Sequence, residues 1–241
     1  MQLFTGVRPA LLALLIGSLF TVSAQNALPD AGYAGPRFPG GPDSLRVYLA
    51  RHPLRKAGEG PVFVQFDVLP SARRHKPTLI LPPGRPPLTP AVAAAALRLV
   101  AEMPEWSPGR QDVEVPITTV TLRLATGSVP PAAARAYADE MPVFDGLEPG
   151  IVGFYRYMPN VQVVTPEIIE KKLTGDVFAY FEVAETGRVE NVQIIGGAVP
   201  ALNEAALSTV ARLPDAATVP ARLNGRPVRI YYVLSMGFAS E

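Results

Sequence analysis

The sequence predicts an α+β fold of two tandem small domains, each a three-stranded antiparallel sheet backed by helices. Three observations predict it. A series of segments recurs in the same order in both halves of the chain, candidate strands alternate with period two, and candidate helices place apolar residues three or four positions apart. With 241 residues, 48% of them hydrophobic, each half is long enough to bury a core.

The N-terminal segment precedes this fold. Residues 1–24 are typical of a signal peptide, because Arg8 is their only charge and residues 9–22 form an apolar run before the small residues Ser23 and Ala24. The run is shorter than the roughly 20 residues of a membrane-spanning helix. An uncleaved short anchor is the alternative. We expect residues 25–35 to be a linker and the mature chain to contain no bilayer span.

The internal repeat sets the domain boundaries. Three groups of residues align in the same order: Phe38, Gly40, Leu45, Tyr48 and Pro53 with Phe144, Gly146, Ile151, Phe154 and Pro159; residues 60–68 with 175–183; and residues 91–104 with 201–214. The repeat predicts one domain over residues 36–127 and a second over residues 139–241. Residues 128–138, rich in Pro and Ala, are the predicted linker, which we expect to be an extended spacer.

The second copy shows its elements most clearly. Thr165 is a good N-cap for a helix that ends before Gly175. Alternation over residues 177–183 and 189–195 predicts two strands, joined by a turn at Gly187. Helical spacing then runs from residue 202 to 213.

The last predicted strand of the second copy spans residues 228–234, after a turn at Asn224 and Gly225. By alternation, Tyr231 and Tyr180 of the earlier strand point away from the core-facing residues of their strands. They either form a contact surface or pack against the first domain.

The first copy follows the same order with irregular features. Its first strand faces the core with Val62, Val64, Phe66 and Val68, and its long helix carries an apolar stripe over residues 92–103. Proline-rich loops replace the glycine turn, and prolines cannot donate to a central ladder. We therefore expect the first copy to be the more degenerate one.

Composition excludes several classes of function. The 22 basic and 21 acidic residues carry no basic excess, which argues against a nucleic-acid partner. The chain has no Cys and two His, so disulfides, thiol chemistry and common metal sites have few candidate ligands. The carboxylate pairs Asp139–Glu140 and Glu182/Glu185 accompany no catalytic motif and are predicted to lie on the surface. We expect no enzyme activity, metal or cofactor.

A family resemblance rests on the second copy. The hairpin residues 187–195, the helix 202–210, Pro214, Pro220 and the turn at residues 224–229 resemble the TonB C-terminal domain family. In the first copy, residues 38–41 and 103–108 resemble segments of the same family. The resemblance covers residues 36–241 as two copies, although the second copy has no counterpart of Trp106.

The resemblance implies a function. TonB C-terminal domains lie in the periplasm of Gram-negative bacteria and bind the extended TonB box of outer-membrane transporters, which adds a strand beside the last strand of the sheet. An exposed sheet edge offers unpaired N–H and C=O groups to such a peptide. The matching edge strand here consists of Val228, Arg229, Ile230, Tyr231, Tyr232, Val233 and Leu234.

These observations predict a non-catalytic periplasmic protein-binding module, with an accessory role in TonB-dependent transport. The N-terminal segment is too short to couple an inner-membrane motor to the outer membrane, so transducer activity is not expected. The expected partners are an outer-membrane transporter peptide or another envelope protein, and a second copy of the chain. The alternative is a structural envelope module that binds peptidoglycan or pairs its own domains.

Overall fold

The computed structural model describes residues 32–54, 60–71, 77–110, 116–124, 126, 133–197 and 199–239. The predicted signal peptide, residues 1–24, lies outside these residues, as do most of the predicted linker 25–35 and the proline pair of the predicted linker 128–138. In the described part of the chain, every helix is too short or too polar to cross a bilayer.

The first half of the chain builds a three-stranded antiparallel sheet. Its elements are α1 (Gly41–Arg51), β1 (Val62–Asp67), β2 (Thr78–Ile80), α2 (Pro90–Ala101) and β3 (Thr119–Leu124), and the strand order is β2-β1-β3. β2 has only three residues and lies between Pro77 and Pro82, which cannot donate to a ladder. This half is thus the less regular one, as expected.

The second half repeats this order with longer strands. Its elements are α3 (Ile151–Val161), α4 (Pro166–Glu170), β4 (Gly175–Val183), β5 (Val189–Gly196), α5 (Pro200–Val210), the short hairpin strands β6 (Arg222–Leu223) and β7 (Arg226–Pro227), and β8 (Ile230–Phe238). The strand order β5-β4-β8 matches that of the first sheet. The antiparallel α+β architecture is therefore confirmed, whereas the division into two domains stays a prediction.

A local sequence signal explains where α4 begins. The Thr165 hydroxyl accepts a hydrogen bond from the Ile168 N–H at 3.4 Å and so caps α4, as predicted. The last strand differs from its prediction, because it begins at Ile230 and continues to Phe238. Ser235 and Gly237 break the apolar pattern, but they pair in register with Phe178 and Asp176 of β4.

The two sheets pack face to face. Helices cover one face of each sheet, and the opposite faces meet through a cluster that contains Phe63, Ile80, Tyr180, Ile195 and Tyr231. The Phe63 and Tyr180 rings are 5.6 Å apart, so β1 lies over β4. A Cβ on Gly196 would lie 2.6 Å from Ile80 Cγ2, so β2 lies close to β5. Tyr180 and Tyr231 therefore pack against the first half of the chain.

The described end of the predicted linker, residues 133–138, differs from an exposed spacer. Ala134, Tyr137 and Ala138 are buried. Tyr137 stacks on Tyr33 with 4.5 Å between ring centroids, and its hydroxyl accepts a hydrogen bond from the Phe38 N–H at 2.9 Å. Apolar burial thus holds this segment against both halves of the chain.

Candidate functional site

The predicted edge strand lies at an edge, but its side chains are mostly buried. β8 is one of the two outer strands of the second sheet, with β5 at the opposite edge. Ile230, Tyr232 and Leu234 pack under the helices, whereas Tyr231 and Val233 lie between the sheets. From Ile230 to Leu234, the side chains of β8 pack on these two faces of the sheet. Only the backbone edge of this segment is therefore available to a partner.

The start of this edge is occupied by the chain itself. The Arg135 N–H donates to the Arg229 carbonyl and the Arg135 carbonyl accepts from the Tyr231 N–H, each at 2.9 Å. Asp43 holds the Arg135 guanidinium at 2.8 Å. The expected site therefore needs a correction, because its backbone at residues 229–231 already has a strand-like partner. The sequence could not show this, since Arg135 lies in the predicted linker.

The edge continues beyond Arg135. The Tyr231 N–H points away from β4 to Arg135, and the Ser235 N–H points the same way to the Tyr155 hydroxyl at 3.3 Å. Backbone groups alternate along an antiparallel strand, so the Val233 N–H and C=O between them also face outward. Among the described residues, these two groups of Val233 have no hydrogen-bond partner.

The edge strand of the first sheet faces the same region. The Tyr231 hydroxyl donates to the Thr121 carbonyl at 3.0 Å and accepts from the Arg123 N–H at 3.3 Å. Both groups of β3 point away from β1, and alternation places the backbone N–H and C=O of Thr119 on the same side. Burial raises the pKa of Tyr231, which keeps the hydroxyl protonated and able to donate.

A groove of about 740 Å³ separates the two edges. β3, β8, the beginning of α3 and the segment around Tyr33 contribute its walls; among its lining residues are Thr119, Thr121, Val152, Tyr155, Val233 and Ser235. Sequence analysis missed this groove because its walls come from segments more than a hundred residues apart. The outward orientation of Tyr231 was the one signal that pointed to it.

A charged cluster fixes the predicted site residue Arg229. Its guanidinium lies 2.7 Å from Glu190 and 3.0 Å from Glu182. Burial alone would raise the pKa of Glu182, but hydrogen bonds from Tyr180, Asn191 and Arg229 hold the pKa below its usual range. Arg229 is therefore bound within its own sheet, and Glu182 is buried rather than on the surface as expected.

The backbone conformation of Asn191 helps to form this cluster. It adopts a left-handed conformation with φ 56°, where the register between β4 and β5 shifts. This irregularity aims the Asn191 amide at the Glu182 carboxylate, 2.9 Å away. The cluster saturates the carboxylate with donors, an arrangement that stabilises a charge and leaves no free base for catalysis.

The remaining candidate groups show no metal arrangement. No cluster of three or more metal-binding side chains occurs within the described ranges. Asp139 accepts a hydrogen bond from the Asn224 N–H at 3.1 Å and supports the β6–β7 turn. Its neighbour Glu140 is exposed.

Comparison with known proteins finds a family match for one part of the chain. Residues 166–239, from α4 to β8, match the family model of the Gram-negative bacterial TonB protein C-terminal. This match supports a non-catalytic, TonB-like protein-interaction module and contains one copy, whereas the expected copy over residues 36–127 is not found. No curated protein and no solved structure matches the chain.

Proposed function

We propose that the protein is a non-catalytic envelope module that binds an extended peptide by strand addition at the β8 edge. The observation that carries this proposal is the outward-facing backbone of Val233, which has no partner among the described residues and lies in a groove. An extended peptide supplies the missing donor and acceptor, whereas a helix has already used its own.

The position of the proposed ladder follows from the occupied part of the edge. Arg135 covers residues 229–231, so the peptide pairs from Val233 toward Gly237 rather than along the whole of Val228–Leu234. Tyr155 and Gln162 contact Ser235 and Gly237 at 3.3 and 3.1 Å through single side-chain hydrogen bonds. A peptide can displace such bonds and form backbone ones in their place.

The family match supports the partner class. The TonB C-terminal family acts in the periplasm on outer-membrane transporters, and the matched segment includes the whole second sheet. We propose a periplasmic location and a transporter peptide, or another extended envelope peptide, as the partner. An accessory role in TonB-dependent transport follows from that pairing.

A backbone substitution tests this proposal. Val233→Pro removes the outward N–H, which has no internal partner among the described residues, so the fold tolerates it as edge strands tolerate proline. Val233→Ala is the matched control, since it keeps the N–H and buries no polar group at this apolar position. Fluorescence anisotropy with a labelled TonB-box peptide should show binding to wild type and Val233→Ala, and at least tenfold weaker binding to Val233→Pro.

Equal binding by both variants, with unchanged thermal unfolding, would contradict strand addition at this edge. Absence of binding to wild type across a panel of TonB-box peptides would contradict the proposed partner.

One observation favours the structural alternative. The two sheets bury apolar faces against each other through Phe63, Tyr180 and Tyr231, so the halves of the chain do pair. In this alternative the protein is a rigid envelope element, and peptidoglycan is the ligand to be tested. Co-sedimentation with purified cell wall, unaffected by Val233→Pro, would support this alternative.

A further inference from the structure

The groove has two backbone walls that belong to different sheets. On one side β8 presents the outward backbone of Val233. On the other side β3 presents Thr119 and Thr121, whose N–H groups face away from β1 by the same alternation that Arg123 shows. No described residue donates to or accepts from the backbone of Thr119 on that side.

The two walls are joined at one end. Tyr231 extends from β8 to β3 and bonds Thr121 and Arg123 there. Side chains stand roughly perpendicular to their sheet, so this contact places the outward backbone groups of β3 near the inter-sheet face of β8. From this junction the groove continues along β3 to Pro116 and along β8 to Ser235.

We infer that the peptide site is composite: the bound segment lies in the groove between β8 and β3, and the β3 edge at Thr119 is its second binding wall. The inference rests on the proposed function. It adds to the binding site a strand from the half of the chain that no family model matches. The ligand it selects is an extended polypeptide segment whose backbone groups face both edges. A peptide that docks on a single open edge would not need β3.

The composite site explains why the chain retains an irregular first half. β2 is short and proline-flanked, yet β3 keeps six residues in full register with β1, from Val62↔Leu124 to Asp67↔Thr119. β3, which borders the groove, is thus as long and regular as the central strand β1. Its edge is held in place by the Tyr231 hydrogen bonds.

A matched pair of substitutions at Thr119 tests the inference. Thr119→Pro removes an outward N–H at the first residue of an edge strand, a position that accepts proline. Thr119→Val keeps the N–H and removes the hydroxyl, which donates to the half-buried Asp67 carboxylate at 2.6 Å. The probe is a set of fluorescein-labelled dodecapeptides selected on wild-type protein from a random phage-displayed library.

The composite site predicts that Thr119→Pro weakens binding of these peptides at least fivefold, while Thr119→Val binds within twofold of wild type. Val233→Pro abolishes binding in the same assay. If Val233→Pro abolishes binding and Thr119→Pro leaves it unchanged, the composite site is wrong and the proposed function stands. If the library yields no peptide that depends on Val233, both fail. Thermal unfolding of each variant shows that it is folded.

Photocross-linking gives an independent readout. A selected peptide with one central benzoylphenylalanine should cross-link to residues of both walls, within 116–121 and within 233–237, and mass spectrometry identifies the attachment sites. Cross-links confined to β8 and α3 would overturn the composite site. Thr119→Val should retain both sets.

Discussion

The Tyr231 hydroxyl lies 3.0 Å from the Thr121 carbonyl and 3.3 Å from the Arg123 amide, so a side chain of one sheet satisfies the backbone of the other. Tyr231 belongs to the matched TonB-like segment, and both partners belong to the half that matches no family model. This contact joins the two sheets at the end of the groove and makes the groove depend on both.

Tyr231→Phe should therefore destabilise the protein by about 1–3 kcal/mol, because it leaves the Arg123 N–H and the Thr121 carbonyl without their partner. Tyr232→Phe is the matched control. The Tyr232 hydroxyl is buried and has no hydrogen-bond partner among the described residues. Its removal should leave the free energy of unfolding unchanged or raise it by about 1 kcal/mol. Urea unfolding measures the free energy of unfolding of both variants. Equal losses of stability would contradict the hydrogen-bonding role assigned to the Tyr231 hydroxyl.

Glu182 predicts a pH dependence of stability. Its folded-state pKa lies below the ordinary value, so its charge stabilises the fold above about pH 4.3, the unfolded value, and that contribution is lost as the pH falls through the folded pKa. Glu182→Gln should be less stable than wild type at pH 7, and the difference should shrink toward pH 3. Thermal unfolding over this range measures it. A difference that is independent of pH would show that the charge contributes nothing.

Gly187 should resist substitution. Its φ is 88°, and a Cβ there would lie 2.6 Å from the Ala217 carbonyl oxygen, in the turn between β4 and β5. Gly187→Ala should cost more than about 1–2 kcal/mol, since strain and overlap add. Gly225 has φ 73° with open space around its Cβ position, so Gly225→Ala should cost only the strain. Equal unfolding free energies for the two variants would contradict the close approach.

The backbone contact of Arg135 with residues 229–231 should determine how much of the β8 edge is available to a partner. Arg135→Pro removes the N–H that donates to the Arg229 carbonyl, whereas Arg135→Ala removes only the ion pair with Asp43. We expect the Tyr231 amide to exchange with solvent at least tenfold faster in Arg135→Pro than in Arg135→Ala. Hydrogen exchange followed by NMR measures this. Equal exchange in both variants would mean that Arg135 does not cover the edge.

The antiparallel α+β architecture was predictable from the sequence because its signals are local. Thr165 as an N-cap, the glycine turn at Gly187 and alternation in β4 each depend on neighbours within a few residues. The end of β8 escaped prediction because Ser235 and Gly237 carry no apolar pattern, and only pairing with β4 holds them in the sheet.

The candidate site was predictable in part. Alternation placed Tyr231 outside the helix-covered core, but the contact with Thr121 spans 110 residues and leaves no local signal. The backbone pairing of Arg135 with residues 229–231 could not be predicted from the sequence for the same reason. The family resemblance implied the edge position, whereas the availability of the edge depends on tertiary contacts.

Amide exchange at Val233 tests the central claim most directly. In the free protein the Val233 N–H should exchange fast, whereas the Tyr231 N–H, bonded to Arg135, should be protected. Addition of a bound peptide should protect Val233 at least tenfold and leave Tyr231 unchanged. A peptide that binds with full affinity while the Val233 amide still exchanges at its free rate would contradict strand addition at β8.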